Sequence, residues 1–207
     1  SQNEKNQAVQ SHLACGMRHA ANALMAGGFV DRAKAITFQF SDYAAQATDN
    51  VTFQETLAKT VSDLLLHFVT AARVSDVGET LALLLELSET VGPCWKSPAF
   101  VRAVAKGFLL GIIGVENSAG PEELQQVLRR FASVMKKAVS EHDAEAIFAI
   151  VVYKALERPD KYGVTADLQI ELESIMERYS VSPKTTAYWE QLEENCTARR
   201  RGSPEGD

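Results

Sequence analysis

The sequence predicts an all-α domain of about nine helices, paired as antiparallel hairpins in a short α-solenoid. Three observations lead there. Apolar residues recur at helical spacing through most of the chain, without the sustained alternation a strand requires. The 12 glycines and 6 prolines stand between periodic segments rather than inside them. Helix starts near 4, 29, 52, 77, 98, 121, 144, 165 and 183 place every second helix about 40 to 48 residues after its predecessor. That is the period of a helical-hairpin repeat. A compact helical bundle is the alternative arrangement.

The first helix is expected over about 4–26, stopped by Gly27-Gly28, and the second over about 29–47, ending in the polar cluster "TDN". Thr52 with Glu55 three residues later forms a capping box that opens the third. Phe53, Leu57, Val61, Leu64, Leu65 and Phe68 then keep helical spacing. The fourth spans about 77–91 and closes at Gly92-Pro93. Ser97-Pro98 supplies an N-cap and a first helical proline for the fifth, which runs to about Ile113. Gly120-Pro121-Glu122-Glu123 opens the sixth, with acids where the helix dipole favours them.

The seventh segment, "AEAIFAIVVYKAL" from Ala144, is apolar almost all the way round. In a two-layer stack such a helix is covered by its partner and by neighbouring repeats, so it is expected between the sixth, the eighth and one further helix. The eighth spans about 165–179, and Ser182-Pro183 opens a ninth that fades near Cys196. Residues 1–196 read as one helical domain and 197–207 as a disordered tail.

Two hairpins carry a family resemblance. "LMAGGFVDRAKAI" resembles the inter-helix turn of a tetratricopeptide repeat: small residues, a turn, then a second helix with Ala33 set to pack closely. "SEHDAEAIFAIVVYKALERPD" is similar, including Pro159 after the helix. The aromatic and Leu-Gly positions of that motif's first helix are not met. The resemblance, to tetratricopeptide or HEAT-type stacked-helix arrays, implies a binding scaffold.

Charge and cysteine content narrow the function classes. With 21 basic and 27 acidic residues the net charge is −6, which gives no global attraction to phosphate backbones or anionic membranes. The three cysteines, Cys15, Cys94 and Cys196, are odd in number and widely spaced, which fits a reducing cytoplasmic or nuclear compartment rather than a disulfide framework. The most apolar stretch, "AFVRAVAKGFLLGIIG", is broken by Arg102 and Lys106, and no membrane partner is expected.

No catalytic motif, metal set or cofactor site is read from the chain. His12, Cys15 and His19 share a helix face, but the histidines are two turns apart, about 10 Å, too far to bind one ion together. Cys94 beside Lys96 is the one candidate thiol nucleophile, because a neighbouring cation lowers a thiol's pKa.

Interface signals are stronger. Trp95, Tyr162, Tyr188 and Trp189 lie outside the apolar stripes, and partner surfaces are enriched in such residues. Arg102 and Lys106 on one helix and Arg129, Arg130, Lys136 and Lys137 on the next would together form a basic ridge. The expected activity is therefore non-catalytic: a scaffold holding a partner helix or peptide, with self-association as an accompaniment. A nucleic-acid-associated repeat protein using the basic ridge and a ligand-sensing bundle are the alternatives.

Overall fold

The computed structural model describes residues 2–44, 46–90 and 93–178, and these are all-helical, with no strand. The helices are α1 (Gln2–Ala26), α2 (Val30–Ala44), α3 (Val51–Thr70), α4 (Val74–Thr90), α5 (Pro98–Val115), α6 (Pro121–Lys137), α7 (His142–Glu157), α8 (Pro159–Tyr162) and α9 (Ala166–Met176). A 3-10 turn, Pro93–Lys96, precedes α5. The expected ninth helix and the tail lie outside the described residues.

Local chemistry sets the helix starts. Ser97 caps α5, its hydroxyl accepting from Phe100 N–H at 3.3 Å, and Pro98 takes the first helical position. Pro121 opens α6 with Glu122 and Glu123 in the first turn. One start differs from expectation. The cap of α3 is Asn50, whose Oδ1 accepts from Phe53 N–H at 3.1 Å, and not Thr52. Glu55, the other half of the expected capping box, instead accepts from the Ser97 hydroxyl of the next hairpin. The one-turn α8 was also unexpected: Pro159 both ends α7 and starts a new turn, because its fixed φ suits a helix's first residue.

The long helices pack mainly on the next and next-but-one helix in the chain. The odd-numbered row runs α1 to α3 to α5 to α7, and the even helices lie against it. Every second long helix starts 44 to 49 residues after its predecessor. Polar bonds between hairpins keep the same stride: Ser62 to Ala103, Lys34 to Asp76, Arg73 to Asp31 and Lys161 to Glu116 join residues 41 to 45 apart.

The centre is α5. Apart from Arg102 and Lys106, its residues from Phe100 to Val115 are buried. By length and composition alone it is apolar enough to cross a membrane, yet 78% of that window is covered by the rest of the fold. Three glycines make the covering tight. A Cβ on Gly107, Gly111 or Gly114 would stand 2.5–2.6 Å from Leu84, Leu81 or Val77 of α4. These positions recur at i, i+4 and i+7, so the glycines form one stripe along which α4 lies. Phe131 of α6 stacks on Phe108 of α5 with centroids 4.6 Å apart, and Phe148 of α7 meets Phe131 edge-on at 5.1 Å. The expected burial of α7 holds: Ala144 to Val152 are all buried, against α5, α6 and α9.

An ion network ties α2 to α4. Lys34 bridges Asp76 (2.7 Å) and Glu79 (2.5 Å), and Arg73 bridges Asp31 and Asp76, both at 2.6 Å. Burial works to raise the Asp76 pKa, but the bonds and charges of Lys34 and Arg73 outweigh it, so the carboxyl titrates below its usual range.

Candidate interaction groove

Three successive odd helices build one open groove of about 290 Å³. α1 contributes Arg18. α3 contributes Lys59, Ser62 and Asp63. α5 contributes Ala99, Arg102, Ala103 and Lys106. Its floor is fixed by the Ser62 hydroxyl, which donates to the Ala103 carbonyl at 2.5 Å and ties α3 to α5. The small side chains Ala99 and Ala103 leave the space open.

Four cations therefore face a single carboxylate in the lining. Asp63 takes Arg18 at 3.1 Å and stands 3.9 Å from Lys106. Lys59 is 3.8 Å from Glu55, one turn back on its own helix. Both lysine distances exceed hydrogen-bond length, so the ammonium groups are held loosely. Arg102 is more firmly engaged. Its Nη2 donates to Glu141 at 2.6 Å and its Nε lies 3.1 Å from Asp143. The bond to Glu141 leads the causes that raise the Arg102 pKa. Glu141 is itself the buried cap of α7, accepting from Ala144 N–H at 2.9 Å.

The expected basic ridge is divided. Arg102 and Lys106 belong to this groove, whereas the α6 cations point to other partners. Arg129 pairs with Asp167 (2.8 Å), Lys136 with Glu171 (2.6 Å) and Arg130 with Glu89. These acids come from α9 and α4, neighbours that spacing along α6 does not reveal. Lys137 is exposed near the end of α6.

The aromatic candidates fare differently from one another. Trp95 is 6% exposed, packed edge-on against Phe100 at 5.1 Å, and its carbonyl accepts from Val139 N–H at 2.8 Å. It is a core residue that anchors the turn before α5 rather than a displayed one. Tyr162 is likewise buried, at 1%. Tyr188 and Trp189 lie outside the described residues. Arg18 and Lys59 were missed in the sequence, because only the packing of α1 and α3 in the odd-helix row brings them to the groove.

The thiol reading reverses. Cys94 is buried, and desolvation first, with the charges of Glu55 and Asp49 adding, pushes its pKa up to about 11. That environment opposes a thiolate. Among the described residues no group of three His, Cys, Asp or Glu side chains is placed to hold a metal ion. Comparison with protein-family models, with curated proteins and with solved structures finds no match to this chain.

Proposed function

We propose that this chain is a helical-repeat scaffold whose odd-helix face holds an acidic segment of a partner protein, without catalysis. The observation that carries the reading is the groove where Arg18, Lys59, Arg102 and Lys106 gather from three helices around Asp63, with Lys59 and Lys106 no closer than 3.8 Å to their carboxylates, on a chain of net charge −6. Such contrast gives charge complementarity a place to act: it steers encounter and selects partners more than it adds affinity. The regular stride of the inter-hairpin bonds supports a stacked array, an architecture that offers an extended face to partners. Free Cys15 and Cys94 accord with a reducing compartment.

The test is selection from a randomised peptide library on the full chain, with Lys59→Glu/Lys106→Glu as counter-target. Enrichment of acidic sequences that the reversed variant fails to retain supports the reading. Enrichment of neutral or basic sequences, or equal retention by the variant, overturns it.

A further inference from the structure

Among the described residues nothing covers the outer face of the first hairpin. Of the eight large hydrophobic side chains that are exposed, four stand there: Val9 and Leu13 on α1, Phe29 in the turn and Tyr43 on α2. On α1, Val9, Leu13, Gly16, Ala20, Ala23 and Gly27 follow steps of four and three, so they form one stripe, and all six are exposed. Ser11 and Arg18, which reach Asn50 and Asp63, mark the opposite side of the helix, toward α3. On α2, Tyr43 is nine residues from Lys34, two and a half turns on, and Lys34 reaches α4. Both stripes therefore turn away from the next hairpin. From Asn6 to Gly28 no exposed residue carries a carboxylate, ammonium or guanidinium. A hairpin that ends an array in water has a polar outer face. A Cβ on Gly16 would meet nothing within 4 Å, so no neighbour within the chain calls for glycine there.

We infer that this face docks a second copy of the chain, its hairpin laid antiparallel on the first across a twofold axis. Register argues for that occupant. Arg18 and Thr37 lie equally far along the chain from the turn at Gly27-Gly28, so one axis crosses α1 and α2 at their level. Rotation about it sets Val9 over Gly27 of the second copy, Leu13 over its Ala23 and Gly16 over its Ala20. Large side chains meet small ones, and glycine lies beside the crossing, as it does where α4 lies on α5. On α2 the same rotation sets Arg32 opposite Asp42 of the second copy, twice by symmetry. Both residues are exposed, and neither is in an ion pair within the described chain. Arg32 lies over the Phe29 ring, 5.6 Å from its centroid. The α1 stripe brings no charge into the seam. From Val9 to Gly27 it is about 27 Å long. With paired helices about 8–10 Å apart, the face of the hairpin covers roughly 500 Å². Two copies would bury about 1,000 Å², at the lower bound of a specific interface, which suits a weak, concentration-dependent dimer.

The test is sedimentation velocity on the full chain from about 10 to 500 μM, a range that spans weak affinities. A shift from monomer to dimer is expected across it. Arg32→Asp should weaken the dimer about tenfold, as for two lost exposed ion pairs. Arg32→Asp/Asp42→Arg should restore it. Gly16→Glu sets carboxylates beside the crossing without a clash in the monomer, so it should abolish the dimer while helical circular dichroism and Tm hold. A monomer at every concentration overturns the inference, and so does a dimer that Gly16→Glu leaves intact. A loss in Arg32→Asp that the charge swap fails to restore overturns the antiparallel register, and with it the choice of a second copy.

Discussion

Gly114→Ala isolates what the α5 glycine stripe does. The new Cβ would stand 2.5 Å from Cγ1 of Val77 and 3.0 Å from Cγ2 of Val69. Carbon atoms in ordinary contact keep about 3.5–4.0 Å. One side or the other must yield by about 1 Å. Val77 is β-branched, so within a helix it has essentially one χ1 state and no room to rotate away. Overpacking of this kind costs about 1–3 kcal/mol. Against it stands the helix-propensity gain of Gly to Ala, up to about 1 kcal/mol and less near a helix end. A net loss of about 1–2 kcal/mol follows, or about 2–8 °C in Tm for a chain of this size. Urea unfolding followed at 222 nm measures it, read as a lower midpoint at unchanged slope. Adding Val77→Ala removes the clashing methyls, so the double variant should be more stable than the two single effects predict, by a coupling of at least about 0.5 kcal/mol. Gly78→Ala in α4 is the control. Nothing lies within 4 Å of its Cβ, so it should gain stability. Stability of Gly114→Ala at or above the parent, or strict additivity with Val77→Ala, would refute close approach as the reason for the stripe.

Three further outcomes are expected. Glu141→Ala removes a buried cap and the partner of Arg102, and should cost about 1–3 kcal/mol, well above Arg102→Ala at a half-exposed position; equal losses would contradict the capping role. The Asp76 and Glu116 carboxyls titrate low because, although burial raises each, the cations Lys34 and Arg73, and Lys161 and Lys154 respectively, prevail. Their stabilisation is therefore present above the unfolded values of about 4 and is lost as pH falls through the depressed folded values. Tm should hold from pH 7 to about 5 and drop below 4, with a shallower drop in Asp76→Asn. Finally, iodoacetamide at pH 8 should label the exposed Cys15 in the native chain and reach Cys94 only after unfolding, as peptide mass spectrometry would show; native labelling of Cys94 at a comparable rate would contradict its raised pKa.

Much of this fold was legible because its punctuation is local. Ser97 marks one helix start through a bond within one turn and Pro121 another through its fixed φ, and the all-round apolarity of α7 already implied cover on most sides. What escaped depends on contacts a whole hairpin away. The partners of Arg129 and Arg130 sit on α9 and α4, so a solvated basic face could not be told from a paired one. Trp95 looked displayed because it falls in a turn, but Phe100 packs edge-on against its ring and Val139 N–H holds its carbonyl. Asn50 rather than Thr52 caps α3, a one-turn ambiguity in a run of capable residues. The groove cations Arg18, Lys59 and Arg102 come from three helices, and spacing along any one helix does not bring them together.

Among the described residues the bonds between hairpins join residues at most 45 apart, which has a mechanical consequence. If the helices stack as the proposed array, force applied at either end of the described residues meets one seam between hairpins at a time, and the helices should come away in steps from the outside inward, like tiles lifted from a roof edge. Amide hydrogens would then exchange fastest in α1, α2 and α9. Those in α3 and α5, clasped from both sides, would outlast the rest.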